Sequence, residues 1–278
     1  MDAQVNGTRL YYETVGDGPL CLVMHGGLGL DHTLYRDFDR LGGRLRLVYY
    51  DHRGNGRSGR PDLSTLTMSQ LADDAAALVD RLGGERVFVL GHSYGGFVAQ
   101  EFALRHPGRV AGLVLIDTTP GGPGRAERPA DLVGPPMPAE LARAMGSTPP
   151  SDAAFVAGFR PLMRYYLHHL DPTDVAPRLD RVIFSAAAMT RSMQVLASWS
   201  SVDRLPLITA PTLVLVGRHD VVTAPVHARR IARAIAGSQC VEFAESGHFP
   251  WWEEPDAFFG LLDGWLDRHL ARSGKVSA

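Results

Sequence analysis

Short, largely apolar runs recur along this chain: Leu20–Met24, Leu45–Tyr50, Val87–Leu90, Val110–Ile116, Thr212–Val216 and Val241–Phe243, with Arg46 and Glu242 the charged residues inside them. A run without polar alternation suits a strand covered on both faces. Between the runs the spacing changes to that of a helix. Thr67–Leu82 carries apolar residues at 68, 71, 75, 78, 79 and 82, one face of a helix, and residues 96–105, 226–236 and 256–270 read alike. Strand and helix thus alternate, which predicts an α/β fold with helices on both faces of a parallel sheet. Residues 8–14 alternate loosely after Asn6-Gly7, a hairpin signal, so the opening is expected to be an antiparallel ribbon.

One stretch breaks the rhythm. From Thr118 to about Pro211 no strand is predicted. The stretch opens with Pro120-Gly-Gly-Pro-Gly124, followed by Pro135-Pro-Met-Pro138 and Pro149-Pro150. Helix-like pieces then carry Phe155, Phe159, Met163, Tyr165, Tyr166, Met189, Met193 and Trp199. An insertion this long between two core strands is no ordinary loop and reads as a helical lid. The expected division is a core of 1–118 and 211–278 and a cap of 119–210. The cap residues expected to touch a ligand are Phe155, Phe159, Met163, Tyr166, Met189, Met193 and Trp199, with packing against the body as the equal alternative. The tail from Ser273 to Ala278 is expected to fray.

Composition narrows the partners. The chain of 278 residues is 45% hydrophobic and 21% charged, with mean hydropathy −0.06, net charge −2 and pI about 6.6. Without a basic field, nucleic acid and anionic membranes are not expected partners, and a small molecule is. No apolar stretch approaches the ~18 residues of a membrane span, and no basic-then-apolar leader opens the chain. Cytoplasmic residence is the expectation, with a homodimer left open. Lys275 is the single lysine among 28 basic residues, a bias from which no mechanism follows. Cys21 and Cys240 both lie in strand-like runs and read as buried free thiols.

The chemistry starts at Gly91-His-Ser-Tyr-Gly95, between the run ending at Leu90 and the helical pattern from Phe97. A sharp strand-to-helix turn forces the serine into a strained conformation with its hydroxyl exposed, so Ser93 is a candidate nucleophile. The plain alternative is a helix N-cap. A serine hydroxyl needs a base, and the base an orienting acid. Gly217-Arg-His-Asp220 follows one core strand and Ser246-Gly-His248 the last, on the same sheet edge as Ser93. Asp220 and His248 are therefore the candidate acid and base. Asp117, also just past a strand, is the rival acid or a cap for the lid entrance. His168-His169 lack further ligands at metal spacing, so no metal is expected. The loop Asp51–Ser58 lacks the Gly-Lys-Ser/Thr of a phosphate cradle and reads as a structural turn.

Five motifs taken together, His25-Gly-Gly-Leu-Gly29, Asp51–Ser58, Gly91–Gly96, Gly217–Asp220 and Gly247-His248, resemble the α/β-hydrolase fold superfamily over essentially the whole chain. The resemblance implies a mostly parallel eight-stranded sheet with an inserted helical cap. It further implies Ser93 as nucleophile, His248 as general base then acid, and Asp220 as orienter. Backbone N–H groups of Tyr94 and Gly27, with Leu28 as fallback, would hold the oxyanion. His25 and His92 would serve structure beside the site. No cofactor is implied.

The expected function is a serine hydrolase cleaving an ester or lactone of a hydrophobic small molecule through an acyl-enzyme. The His-Gly-Gly start is also similar to the proline iminopeptidase branch, although Leu28 replaces its usual Pro and Gly-His-Ser-Tyr-Gly its Gly-Gly-Ser-Trp-Gly. Such a peptidase needs cap acids to grip an amino terminus, and Glu127, Asp131, Glu140, Asp152, Asp171 and Asp174 are candidates. A non-hydrolytic small-molecule receptor on the same fold is the third reading.

Overall fold

The computed structural model describes residues 1–122 and 135–273. Its sheet has eight strands: β1 (Asp2–Val5), β2 (Thr8–Val15), β3 (Leu20–Met24), β4 (Arg46–Tyr50), β5 (Val87–His92), β6 (Val110–Ile116), β7 (Thr212–Gly217) and β8 (Gln239–Phe243). They lie in the order β1-β2-β4-β3-β5-β6-β7-β8. β1 and β2 form the antiparallel ribbon about Asn6-Gly7, β2 runs antiparallel to β4, and all later pairs are parallel. The fold expectation therefore holds.

Alternation along each central strand divides the core in two. Leu22, Met24, Val48 and Val89 join one buried cluster with the inner faces of α1 (Met68–Arg81) and α2 (Tyr94–Arg105). Cys21, Val23, Leu47, Phe88 and Leu90 point to the other, against the 3₁₀ stretch His32–Gly43. The sheet is thus covered on both sides, as continuous apolar runs require. Thr67 caps α1, its hydroxyl accepting from Gln70 N.

Between β6 and β7 the insertion is helical: α3 (Ala139–Met145), α4 (Asp152–Phe159), α5 (Pro172–Leu179) and α6 (Ala186–Leu196). Among the described residues, its one extended contact is an isolated bridge between Gly121 and Ser200. Glu127 and Asp131 lie outside the described residues, as does the tail after Ser273. The chain closes with α7 (Pro225–Ala234), α8 (Pro250–Glu253) and α9 (Pro255–Ser273). Among the described residues no helix is long and apolar enough to cross a membrane.

Cys240 corrects an expectation. Cys21 is buried, but Cys240 is exposed. The cause is position: β8 is the sheet edge, so its outer residues lack the second neighbour that covers β3.

Candidate active site

Ser93 sits between the end of β5 and the start of α2 with φ +51° and ψ −116°, and its side chain caps nothing. That removes the N-cap reading. Its backbone is pinned instead: Ser93 N donates to Ile116 O (3.0 Å), while Ser93 O accepts from Gly96 N (2.9 Å) and Thr118 Oγ1 (2.8 Å). A Cβ on Gly91 would meet Gly95 O at 2.5 Å, and one on Gly95 would overlap the backbone of Met24. Strand and helix approach so closely that only glycine fits at either place.

Asp220 and His248 meet beyond β7 and β8. His248 Nδ1 lies 2.8 Å from Asp220 Oδ2, and both residues are buried. Asp220 also accepts from Thr223 Oγ1 (2.5 Å), Thr223 N (3.0 Å) and Val222 N (2.7 Å). Burial opposes its charge, but His248 and the Thr223 donors hold its carboxyl well below the usual range. With Nδ1 engaged, Nε2 is the ring nitrogen left for the cavity. His248 N donates to Tyr166 O in the cap (2.6 Å). Ser93 and His248 line one cavity of about 410 Å³, with no hydrogen bond between their side chains.

His92 ties the parts together. Its Nε2 lies 2.9 Å from His248 O and its Nδ1 2.7 Å from Tyr35 Oη, which in turn accepts from Gly26 N (2.6 Å). The carbonyl acceptor places the ring proton on Nε2, so Tyr35 donates to Nδ1. Burial, then the His248 ring, keeps His92 well below the usual histidine range and hence neutral. With Gly26 N committed to Tyr35, the donors in that loop without a protein acceptor among the described residues are those of Gly27 (φ +76°), Leu28 and Gly29. Gly27, Leu28 and Tyr94 all line the cavity, and among the described residues none of their N–H groups meets a protein acceptor.

Asp117 does not cap the lid. It is fully buried at the end of β6, where Oδ1 accepts from Gly217 N (2.9 Å). One oxygen or ring nitrogen from each of Asp117, Asp220 and His248 lies within 4.8 Å of the others. His25 accepts from His52 N through Nε2 (3.0 Å), and His219 turns away from Asp220 to stack on His168 at 3.5 Å. Asp51 closes its loop by accepting from Arg57 N (2.7 Å) and His32 N (3.1 Å), a structural turn as expected.

Five of the seven cap residues line the cavity: Phe155, Phe159, Tyr166, Met189 and Met193. Met163 is buried in the core instead, and Trp199 packs on Phe97 while its indole N–H donates to Glu101 (2.9 Å). Val222, Phe249 and Thr223 also line it and were missed, although they adjoin Asp220 and His248 in the chain. Tyr35 carried no such signal, standing 57 residues from His92. Among the described residues no carboxylate and no arginine lines the cavity. Glu140 pairs with Arg164 outside, Asp152 accepts from Ala186 N and Asp171 caps α5. Asp174 is exposed.

Comparison with known proteins agrees with this fold. A family model described as alpha/beta hydrolase fold matches residues 19–255. The proline iminopeptidase PfmaB of Pestalotiopsis fici is 35% identical over 123 residues, 42% of this chain and 43% of that protein, so the match spans under half of its length. Two solved structures align over nearly all of both chains at 25% identity. They are the esterase EaEST of Exiguobacterium antarcticum (TM-score 0.80, 94% and 96% covered) and the enol-lactonase of Burkholderia xenovorans LB400 (0.79, 96% and 100%).

Proposed function

Since this chain belongs to the alpha/beta hydrolase fold family, we propose that it is a serine hydrolase cleaving an ester or lactone of a hydrophobic small molecule. Residues 1–118 and 211–278 form the core and 119–210 the cap. Ser93 attacks the acyl carbon as His248 Nε2 takes its proton, and the N–H groups of Tyr94 and Gly27 receive the oxyanion. Asp220 keeps the proton on His248 Nδ1 and stabilises the imidazolium. His248 then protonates the leaving group and activates the water that cleaves the acyl-enzyme. The Ser93–His248 contact tightens around bound substrate, a common change from the empty site.

The observation that carries this reading is a strained, uncapped serine opening into the same cavity as an imidazole oriented by a buried carboxylate. The esterase and the enol-lactonase support the bond type. The likeness to an iminopeptidase supports an aminopeptidase instead, but among the described residues no acid lines the cavity to bind an ammonium. Burst release from a p-nitrophenyl ester, abolished by Ser93→Ala, is the expected result. Saturable ligand binding without turnover of any ester, lactone or aminoacyl amide would replace the hydrolase with a receptor.

A further inference from the structure

We propose that Asp117 is a positioning residue whose carboxyl group keeps its proton and donates it to Asp220, making the acid behind His248 a carboxylic acid–carboxylate pair with one charge. Its role in turnover rests on the hydrolase reading above; the location of the proton does not.

Three observations meet at this residue. Only Asn6, Ser93 and Asp117 among the described non-glycine residues have positive φ, and Asn6 merely turns the opening hairpin. Outside that hairpin, Asp117, at φ +42°, and the nucleophile are the two described non-glycine residues held at positive φ. Its Oδ2 is buried and has no hydrogen-bond partner while Oδ1 accepts from Gly217 N. Its carboxyl stands within 4.8 Å of the Asp220 and His248 groups. A buried oxygen without a donor is costly as an acceptor, yet becomes satisfied once it carries the proton.

The charges around it require the same arrangement. Asp117 faces Asp220 after β7, His248 after β8, Glu253 on α8 and the Tyr35 hydroxyl. No Lys or Arg forms an ion pair with it among the described residues. Asp220 already accepts four hydrogen bonds, one of them from the imidazole, and is the better place for the single negative charge. Two buried carboxyls this close do not both ionise. Burial and Asp220 accordingly push the Asp117 carboxyl well above the usual range. The acid gives Asp220 a fifth donor and fixes its plane without adding a second charge behind the ring.

The test is a spectrum and a pH profile. Infrared spectra of the wild-type protein near neutral pH should contain a protonated-carboxyl C=O band that is absent from Asp117→Asn. That variant should keep kcat within about 3-fold and leave the acid limb of kcat/KM in place, because a carboxamide imitates the neutral acid. Asp117→Leu should lose kcat about 10-fold or more with little change in KM, as expected for one lost hydrogen bond to a charged group. A missing band overturns the proposal. So does a downward move of the acid limb by about one unit in Asp117→Asn, the mark of a lost negative charge beside the imidazole. Equal kcat losses in both variants reduce Asp117 to packing and overturn it as well. If neither variant folds, the wild-type band, assigned by carbon-13 labelling of aspartate, decides alone. Wild-type protein with the band but no ester turnover would refute the hydrolase reading and leave the proton where it is placed here.

Discussion

Ser93 holds its conformation through backbone bonds on three sides, so its side chain can change without disturbing the turn. Ser93→Ala and His248→Ala should each lower kcat by several orders of magnitude, and the double variant little further, because the two act as one unit. Steady-state kinetics would show independent losses as a multiplied effect. Asp51 gives a stability prediction. Burial would raise its pKa, but His32 and the Arg57 N–H hold it down to about 2. A depressed carboxyl stabilises the fold above its unfolded pKa, and that contribution disappears as pH falls through the folded value. At neutral pH it is worth about 2 kcal/mol. Urea unfolding should therefore show Asp51→Asn least stable relative to wild type near neutrality, with the gap closing below about pH 4. At this scale the strained turn at Ser93 was legible because glycine spacing encodes a steric demand. Tyr35 and the arrangement of Asp117 were not, since both depend on contacts between distant strand ends.

Among the elements, the central strands were read almost to their ends because burial on both faces keeps their runs largely apolar, whereas edge strand β8 begins at Gln239, two residues before its apolar signal. The helices after β5 and β7 began one or two residues earlier than their apolar pattern, where Tyr94 and Pro225 open the first turns. The cap was legible as helix but not as a cavity wall, because a Met or aromatic looks the same whether it packs inward or meets a ligand. Glu253 joins the cap to the His248 loop. Its side chain is fully buried and accepts from Gly247 N (2.6 Å), His168 N (2.7 Å) and His169 N (2.9 Å). Glu253→Ala should cost about 3 kcal/mol or more by stranding those donors. The same change should open the 166–170 segment to limited proteolysis. Unchanged cleavage would mean that the His248 N to Tyr166 O bond suffices.

For the whole molecule, a cavity walled by phenylalanine and methionine selects against charge. Uncharged aliphatic or aromatic esters should exceed aminoacyl amides bearing a free ammonium by at least 100-fold in kcat/KM, since an unpaired buried cation costs several kcal/mol. A substrate panel at fixed pH tests this, and the reverse ranking would favour the peptidase. The cap is also not a separate body resting on the sheet. Phe155, Met163, Phe184 and Met189 belong to the same buried cluster as Val23, Tyr49 and Trp251. Swinging it away would expose several such side chains at roughly 1.5–3 kcal/mol apiece. Calorimetry should accordingly record one melting transition, and a substitution that strengthens the insertion should raise the melting temperature of the entire chain. Molecules would come and go by local breathing at the mouth, so an engineer wishing to widen access gains more by trimming rim side chains than by loosening a hinge.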